Sequence, residues 1–238
     1  MTTRLDEIGE NIYRISTAVP PSPDLPPGFT FNQFLIVDDE PLLFHAGMRR
    51  IFPLVRDAVA RVMPIDKLRW VSFSHHECDE SGALNEWLAA APHAAPLCGK
   101  MNLMYSVEDS VDRAARVLAD GEAVAIGKRS VQWLDTPHVP HGWDAGLLFE
   151  TTTQTLFCSD ILAQPGDNHP PATEGDVLGP SEMMRKMFTY YSNTTLAAVT
   201  LERLASLEPA VLATMHGAAY RGDGGRILRE LASVLAKS

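Results

Sequence analysis

The sequence predicts an α/β fold: a sandwich of two sheets flanked by helices, formed as one domain. Three observations predict it. Stretches that alternate apolar and polar residues, as strands do, are interleaved with stretches of helical spacing. Strand-rich passages with interleaved helices occur twice along the chain. No linker, low-complexity tract or short repeat divides the 238 residues.

In order, "NIYRIS" (11–16), "FNQFLIVDD" (31–39) and "PLLFHAG" (41–47) read as strands, the last stopped by glycine. Between the first two, the proline-rich "AVPPSPDLPPGF" (18–29) reads as a surface loop that could cover a site. "MRRIFPLVRDAVARVM" (48–63) has helical spacing despite Pro53. "KLRWVSFS" (67–74) is a strand, "SGALNEWLAAA" (81–91) a helix and "APLCG" (95–99) a short strand. "SVEDSVDRAARVLA" (106–119) reads as a helix, with Ser106 and Glu108 suited to its first turn. Hairpins follow around Gly127-Lys128 and around Thr151 to Thr153. The loop 164–180 is long enough to require a functional or packing reason. Helices over 181–206, a strand "AVLATMHG" (210–217) and a closing helix at 224–237 complete the chain.

Composition narrows the function. A chain this long, when compact, buries roughly 70% of its unfolded surface, so core size is no obstacle. The formal charge of −10 leaves no basic stripe for nucleic acid or an anionic membrane. Cys78, Cys98 and Cys158 are odd in number and lack C-x-x-C spacing, which favours a reducing cytoplasm over a disulfide scaffold. The N-terminus has no apolar leader pattern, and no run approaches a membrane span.

The densest group of metal-capable side chains lies in "WVSFSHHECDESGALN" (70–85), where a strand gives way to a helix. His75, Glu77 and Asp79 occupy alternate positions, and in an extended loop that spacing aims them the same way. Three later segments end with ligand-type residues at strand termini: "LDTPHVPHGWD" with His138, His141 and Asp144, "TLFCSD" with Asp160, and "ATMHG" with His216. Residues at strand ends on one edge of an α/β fold converge on one crevice.

The stretch "SHHECDESGALN" resembles the His-x-[His/Glu]-x-Asp-His motif of the metallo-β-lactamase superfamily. It is more closely similar to the His-x-Glu-x-Asp-His of flavodiiron proteins and the related oxygen-binding diiron proteins. The later landmarks appear in order: His141 after a Thr-Pro turn, Asp160 ending an "LF-x-x-D" strand, and the strand-terminal His216-Gly217. Intervals of 66, 19 and 56 residues separate His75, His141, Asp160 and His216, similar to the flavodiiron pattern. The resemblance implies a four-layer αβ/βα sandwich with a dinuclear centre. One metal would take His75, Glu77 and His141, the second Asp79 and His216, and Asp160 would bridge them. The donor chemistry agrees independently: Glu77, Asp79 and Asp160 make a hard, anionic site suited to iron or manganese rather than zinc. Without metal, these three would repel one another severely.

Two positions depart from the family pattern. Glu80 stands where the motif has its second His, so it either ligates the second metal or points away. "LFHAG" replaces the family's "LIDTG", so His45 is expected to orient a ligand or join the shell. His76 and His138 are also placed around the shell, His138 with the alternative of substituting as a ligand. Plainer readings apply elsewhere: structural for His93, a solvated loop for His169, buried apolar packing for Cys78, a packed aromatic pair for Tyr190 and Tyr191, and core for Met183, Met184 and Met187.

Three functions compete. The first is a dinuclear non-haem iron protein that binds or reduces dioxygen or nitric oxide. The second is a dinuclear metallohydrolase of a thioester, lactone or phosphoester, and the third a metal-stabilised binding module without turnover. Glu77 and Glu80 in place of histidines favour the first. Two iron ions are therefore the expected cofactor, with manganese or zinc as alternatives. No flavodoxin-like domain or flavin-phosphate loop is legible in 1–238, so no flavin is expected here and electrons must come from an external redox partner. The resemblance also implies a homodimer.

Overall fold

The computed structural model describes residues 1–23 and 25–237, so Asp24 of the proline-rich loop and Ser238 lie outside the described residues. Strands β1 (Thr2–Gly9), β2 (Ile12–Val19), β3 (Phe29–Ile36), β4 (Leu42–Phe44), β5 (Trp70–Ser72), β6 (Ala95–Gly99) and β7 (Arg116–Leu118) form the first sheet in that spatial order. Pairing is antiparallel from β1 to β4 and parallel from β4 to β7. Each parallel step needs a crossover, and helices supply it. The crossovers are α1 (Phe52–Ala60), then α2 (Cys78–Ser81) with α3 (Leu84–Ala90), then α4 (Lys100–Asn102), a π-helical turn (Leu103–Val107) and α5 (Glu108–Ser110). Pro53 falls in the first turn of α1, where a missing N–H costs nothing.

The second sheet holds β8 (Ala123–Ala125), β9 (Ser130–Asp135), β10 (Gly146–Glu150), β11 (Thr155–Ser159), β12 (Ala172–Thr173), β13 (Val211–Thr214) and β14 (Ala219–Arg221). Its spatial order is β12-β14-β13-β11-β10-β9-β8. Helices α6 (Leu178–Phe188) and α7 (Thr194–Ala205) precede β13, and α8 (Gly224–Leu235) closes the chain. No helix among the described residues is long and apolar enough to cross a membrane.

Three separate apolar clusters identify the layers. Val55 and Val59 of α1 and Trp87 of α3 pack with Leu35, Leu43 and Val71 on the outer face of the first sheet. Phe34, Phe44 and Trp70 meet Trp133, Leu148 and Phe157 between the sheets. Leu147, Leu156 and Leu212 face Leu201, Leu228 and Leu231 of α7 and α8. Neighbours such as Leu147/Leu148 and Leu156/Phe157 therefore point into different cores, which is why these strands read as continuous apolar runs. Four layers, αβ/βα, follow.

Several regions differ from the sequence-based expectation. Residues 106–119 are not one helix: helix ends at Ser110, and Arg116–Leu118 pairs parallel to β6 as an edge strand. The open edge of β6 outcompetes the helix propensity of "DRAARVLA", and Arg113 caps the carbonyls of Leu88, Ala91 and Ala94 instead. The strands β1, β12 and β14 were not expected. β1 is half exposed and charged, which masks its alternation.

Trp133 is fully buried between the sheets, its Nε1 donating to Asp135 Oδ1 at 2.7 Å. It fits because two glycines give way. A Cβ at Gly146 would lie 2.1 Å from the indole, and one at Gly99 would lie 2.5 Å from it. Gly146→Ala is expected to destabilise the chain by about 1–3 kcal/mol, as overpacked cores do. Urea denaturation checks this, and an unchanged midpoint would remove Trp133 as a fixed wedge between the sheets.

Candidate metal centre

Five strands deliver the site at one edge of the sandwich. His45 follows β4, His75 lies just beyond β5, His141 is in the loop after β9, Asp160 follows β11, and His216 lies just past β13. Glu77 has extended backbone and starts the single turn α2, so Asp79 comes from a helical turn. This corrects the alternating extended loop expected over 75–79. The chain turns there because the Glu80 carboxylate, inside that turn, accepts the backbone N–H groups of Ser74 and His75 at 3.1 and 2.8 Å.

The six residues meet around Asp160. His75 Nε2 and His141 Nε2 are 2.9 Å apart, with Glu77 Oε1 3.0 Å from His141 Nε2. Asp160 Oδ2 lies 3.6 and 3.5 Å from the two ring nitrogens. The other oxygen, Oδ1, faces His216 Nε2 at 3.0 Å, and Asp79 Oδ2 is 3.6 Å from the same nitrogen. One donor atom each from His75, Glu77, His141 and Asp160 falls within 4.8 Å of the others.

This spacing fits a cation. Ligands about 2.1 Å from one ion and at right angles are roughly 3.0 Å apart. Asp160 Oδ1 is also buried without a properly aligned hydrogen bond, despite its nearness to His216. The back edges of the rings are all held. His141 Nδ1 donates to the Tyr190 carbonyl at 3.0 Å and His216 Nδ1 to the Thr30 carbonyl at 2.8 Å. His75 Nδ1 lies 3.2 Å from Ser74 Oγ and 3.3 Å from Glu80 Oε2. Each Nε2 is thus left facing the centre, the arrangement that prepares histidine as a ligand.

The remaining candidates fall outside this cluster. Glu80 sits behind His75, on the Nδ1 side of its ring. His45 is fully buried, its Nε2 3.4 Å from Glu80 Oε1, and its φ of +68° marks the turn that brings it there. The His76 ring stands outside beside Tyr105, while its backbone N–H donates to Asp144 Oδ2. His138 shapes its loop, its N–H donating to the Gly142 carbonyl at 2.7 Å, and joins no ligand group. Asn102 carried no sequence signal, yet its Nδ2 clamps the carbonyls of Ser74 and Asp144. Phe29, also unmarked in the sequence, stacks on the His216 ring at 4.1 Å.

A cavity of about 470 Å³ opens onto the cluster. Its floor is polar and its walls are apolar: Leu25, Phe29, Ala163, Met184, Phe188 and Tyr190. Met184 therefore lines the site, and Met183 and Met187 are exposed on α6 rather than forming core.

Without metal, the charges compensate one another. Burial lowers His75, but Glu80, Glu77 and Asp160 outweigh it and lift the ring to about 10. Burial is likewise outweighed by carboxylates at His141 and His216, which are raised. Burial would raise Asp160, yet His216, His75 and His141 hold it well below the usual carboxylate range. Hydrogen bonds from His141 and His75 bring Glu77 to about 2. Two nitrogens 2.9 Å apart cannot both point a proton at the other, so His75 and His141 titrate as a pair.

A family model described as ODP family beta lactamase matches residues 29–217. The chain belongs to that family. The nitric oxide reductase of Moorella thermoacetica is 25% identical over 219 residues, 86% of this chain and 53% of that protein. The rubredoxin-oxygen oxidoreductase of Megalodesulfovibrio gigas is 25% identical over 208 residues, 83% of this chain and 50% of that protein. A third relative, a putative diflavin flavoprotein of Synechocystis, is 24% identical and covered over 33% of its length, so this chain spans a third to about half of such relatives. Among solved structures, the rubredoxin oxygen:oxidoreductase of Desulfovibrio gigas superposes with a TM-score of 0.86 at 21% identity, over 99% of this chain and 62% of that one. A 1–254 fragment of a putative diflavin flavoprotein from Nostoc gives 0.84 at 15% identity, over 99% and 97%. These likenesses establish a metallo-β-lactamase-like fold, and the His/Glu/Asp cluster of this family member could hold metal.

A histidine raised above its unfolded value of 6.5 adds stability that is full below 6.5 and lost as pH rises through about 10. The melting temperature of the metal-free chain is therefore expected to fall across that window. Metal uptake at pH 7.5 is expected to release protons, because the ring nitrogens must be free to ligate. Calorimetry and a pH-indicator dye measure the two effects. A flat melting profile with no proton release would contradict the paired histidines.

Proposed function

We propose that the chain is a dinuclear non-haem iron protein that binds dioxygen or nitric oxide, and reduces it when an external donor supplies electrons. The supporting observation is Asp160, whose two oxygens face two different donor groups, Oδ2 toward His75 and His141 and Oδ1 toward His216. In this reading the first iron is held by His75, Glu77, His141 and Asp160, and the second by Asp79, His216 and Asp160. Three carboxylates offset the charge of two divalent ions more fully than a histidine-rich shell does, which favours iron over zinc. Two relatives, a nitric oxide reductase and a rubredoxin-oxygen oxidoreductase, point the same way.

The bound irons would supply open positions for a diatomic ligand and electrons for its reduction. The chain's own part is to hold and to select. Backbone carbonyls of Tyr190 and Thr30 orient His141 and His216, and Phe29 shields the His216 ring from water. The apolar walls admit a small uncharged ligand, and among the described residues they offer no Lys or Arg for an anionic ester. A hydrolase is accordingly the weaker reading, since Glu77 also dampens the Lewis acidity on which hydrolysis depends. The three free thiols suit a reducing cytoplasm, where a soluble electron donor would reach the open cavity.

Anaerobic reconstitution is expected to give two irons per chain and a visible spectrum that changes on exposure to dioxygen or nitric oxide. One iron or fewer, or a spectrum indifferent to both gases, would overturn the proposal. Asp160→Asn is expected to lose at least one iron while keeping the fold, because a neutral amide cannot bridge two cations as a carboxylate does. Metal analysis alongside circular dichroism measures both halves of that expectation.

A further inference from the structure

We propose that Glu80 is a positioning residue for His75 and the Asp160 turn and ligates neither metal, which leaves the second metal with Asp79, Asp160 and His216 alone. The inference rests on the dinuclear reading above. Glu80 stands where the resembled motif places a ligand, but its carboxylate is only 1% exposed and is already engaged on both oxygens. Oε2 accepts from His75 N at 2.8 Å and from Ser74 N at 3.1 Å, and His75 Nδ1 lies 3.3 Å away. Oε1 accepts from the Ser159 hydroxyl, with His45 Nε2 at 3.4 Å. A carboxylate has about four acceptor sites, and the N–H groups of Ser74 and His75 with the Ser159 hydroxyl take up three of them from the side of His75 opposite the cluster.

The partners explain the role. His75 is a donor of the first half-site. Ser159 immediately precedes Asp160 and holds a left-handed φ of +52° where β11 slips register against β13. One carboxylate therefore ties β5 of the first sheet to β11 of the second, directly beneath the two side chains that share the first metal. With Oε2 3.3 Å from His75 Nδ1, it also faces the back edge of that ring and leaves Nε2 turned toward that metal. The first half-site then has four side chains and a fixed scaffold. The second has three, and Glu80 adds nothing to it.

Titration of anaerobic, metal-free protein with Co²⁺, followed by calorimetry and visible absorption, tests this. Wild type is expected to bind two Co²⁺ in two steps, with His216→Ala losing only the weaker step. Glu80→Gln keeps an acceptor for both N–H groups and an NH₂ for Ser159, so both steps are expected near wild type. Glu80→Ala is expected to weaken the tighter step about tenfold to a hundredfold, the usual effect of removing a group that orients a ligand. A Glu80→Gln variant that loses the weaker step would make Glu80 a ligand and overturn the inference, and it decides the matter even if Glu80→Ala does not fold. A folded Glu80→Ala with both steps unchanged would overturn it equally. Wild type that takes up fewer than two Co²⁺ overturns the dinuclear reading itself, before any variant is compared.

Discussion

Three carboxylates and three imidazoles crowd one edge of the sandwich, and such a crowd needs counter-charge and fixed geometry to persist. Glu77, Asp79 and Asp160 cannot all ionise side by side in a low-dielectric crevice without cations among them. In the metal-free chain protons held by the coupled His75–His141 pair and by His216 serve, and they keep Asp160 ionised. Metal ions at the same place would replace those protons with a denser charge. The anionic edge sets what the surrounding structure has to do: orient rings from behind, satisfy strand-end backbone, and keep bulk water at a distance.

The surrounding structure does this largely with backbone. Thr30 and Tyr190 contribute carbonyls, Ser74 and His75 contribute N–H groups, and Asn102 and Asp144 brace the turn that carries His75. Strand ends have polar groups with no ladder partner, so a site placed there finds second-layer partners already present. Glu80 serves alongside them, its carboxylate accepting from the Ser74 and His75 N–H groups. Its burial raises it to about 7, so its place behind His75 depends on the donors that surround it.

The fold and the ligand-type residues were legible because their signals are chemical and local. Apolar runs mark strands buried on both faces, and His75, His141, Asp160 and His216 stand out at the ends of such runs. What was not legible depends on partners far along the chain. The helical turn that carries Asp79 is hidden because nothing in "HHECDES" announces that Glu80 will fold back on Ser74 and His75. The edge strand Arg116–Leu118 was hidden because pairing with β6 is a tertiary event that helix-forming residues do not signal. Phe29 stacking on His216 joins positions in different sheets, and Thr30 and Tyr190 act through carbonyls that every residue possesses. Side-chain chemistry can be read from letters, whereas backbone service cannot.

Each proposed half-site draws on both sheets. His75, Glu77 and Asp79 come from the first sheet, and His141, Asp160 and His216 from the second. A ribosome releases the first group well before the last, since His216 lies 141 residues after His75. A nascent chain whose His216 has not yet been released therefore lacks the complete cluster. In the proposed reading, metal that meets the chain early would find only half of a clasp.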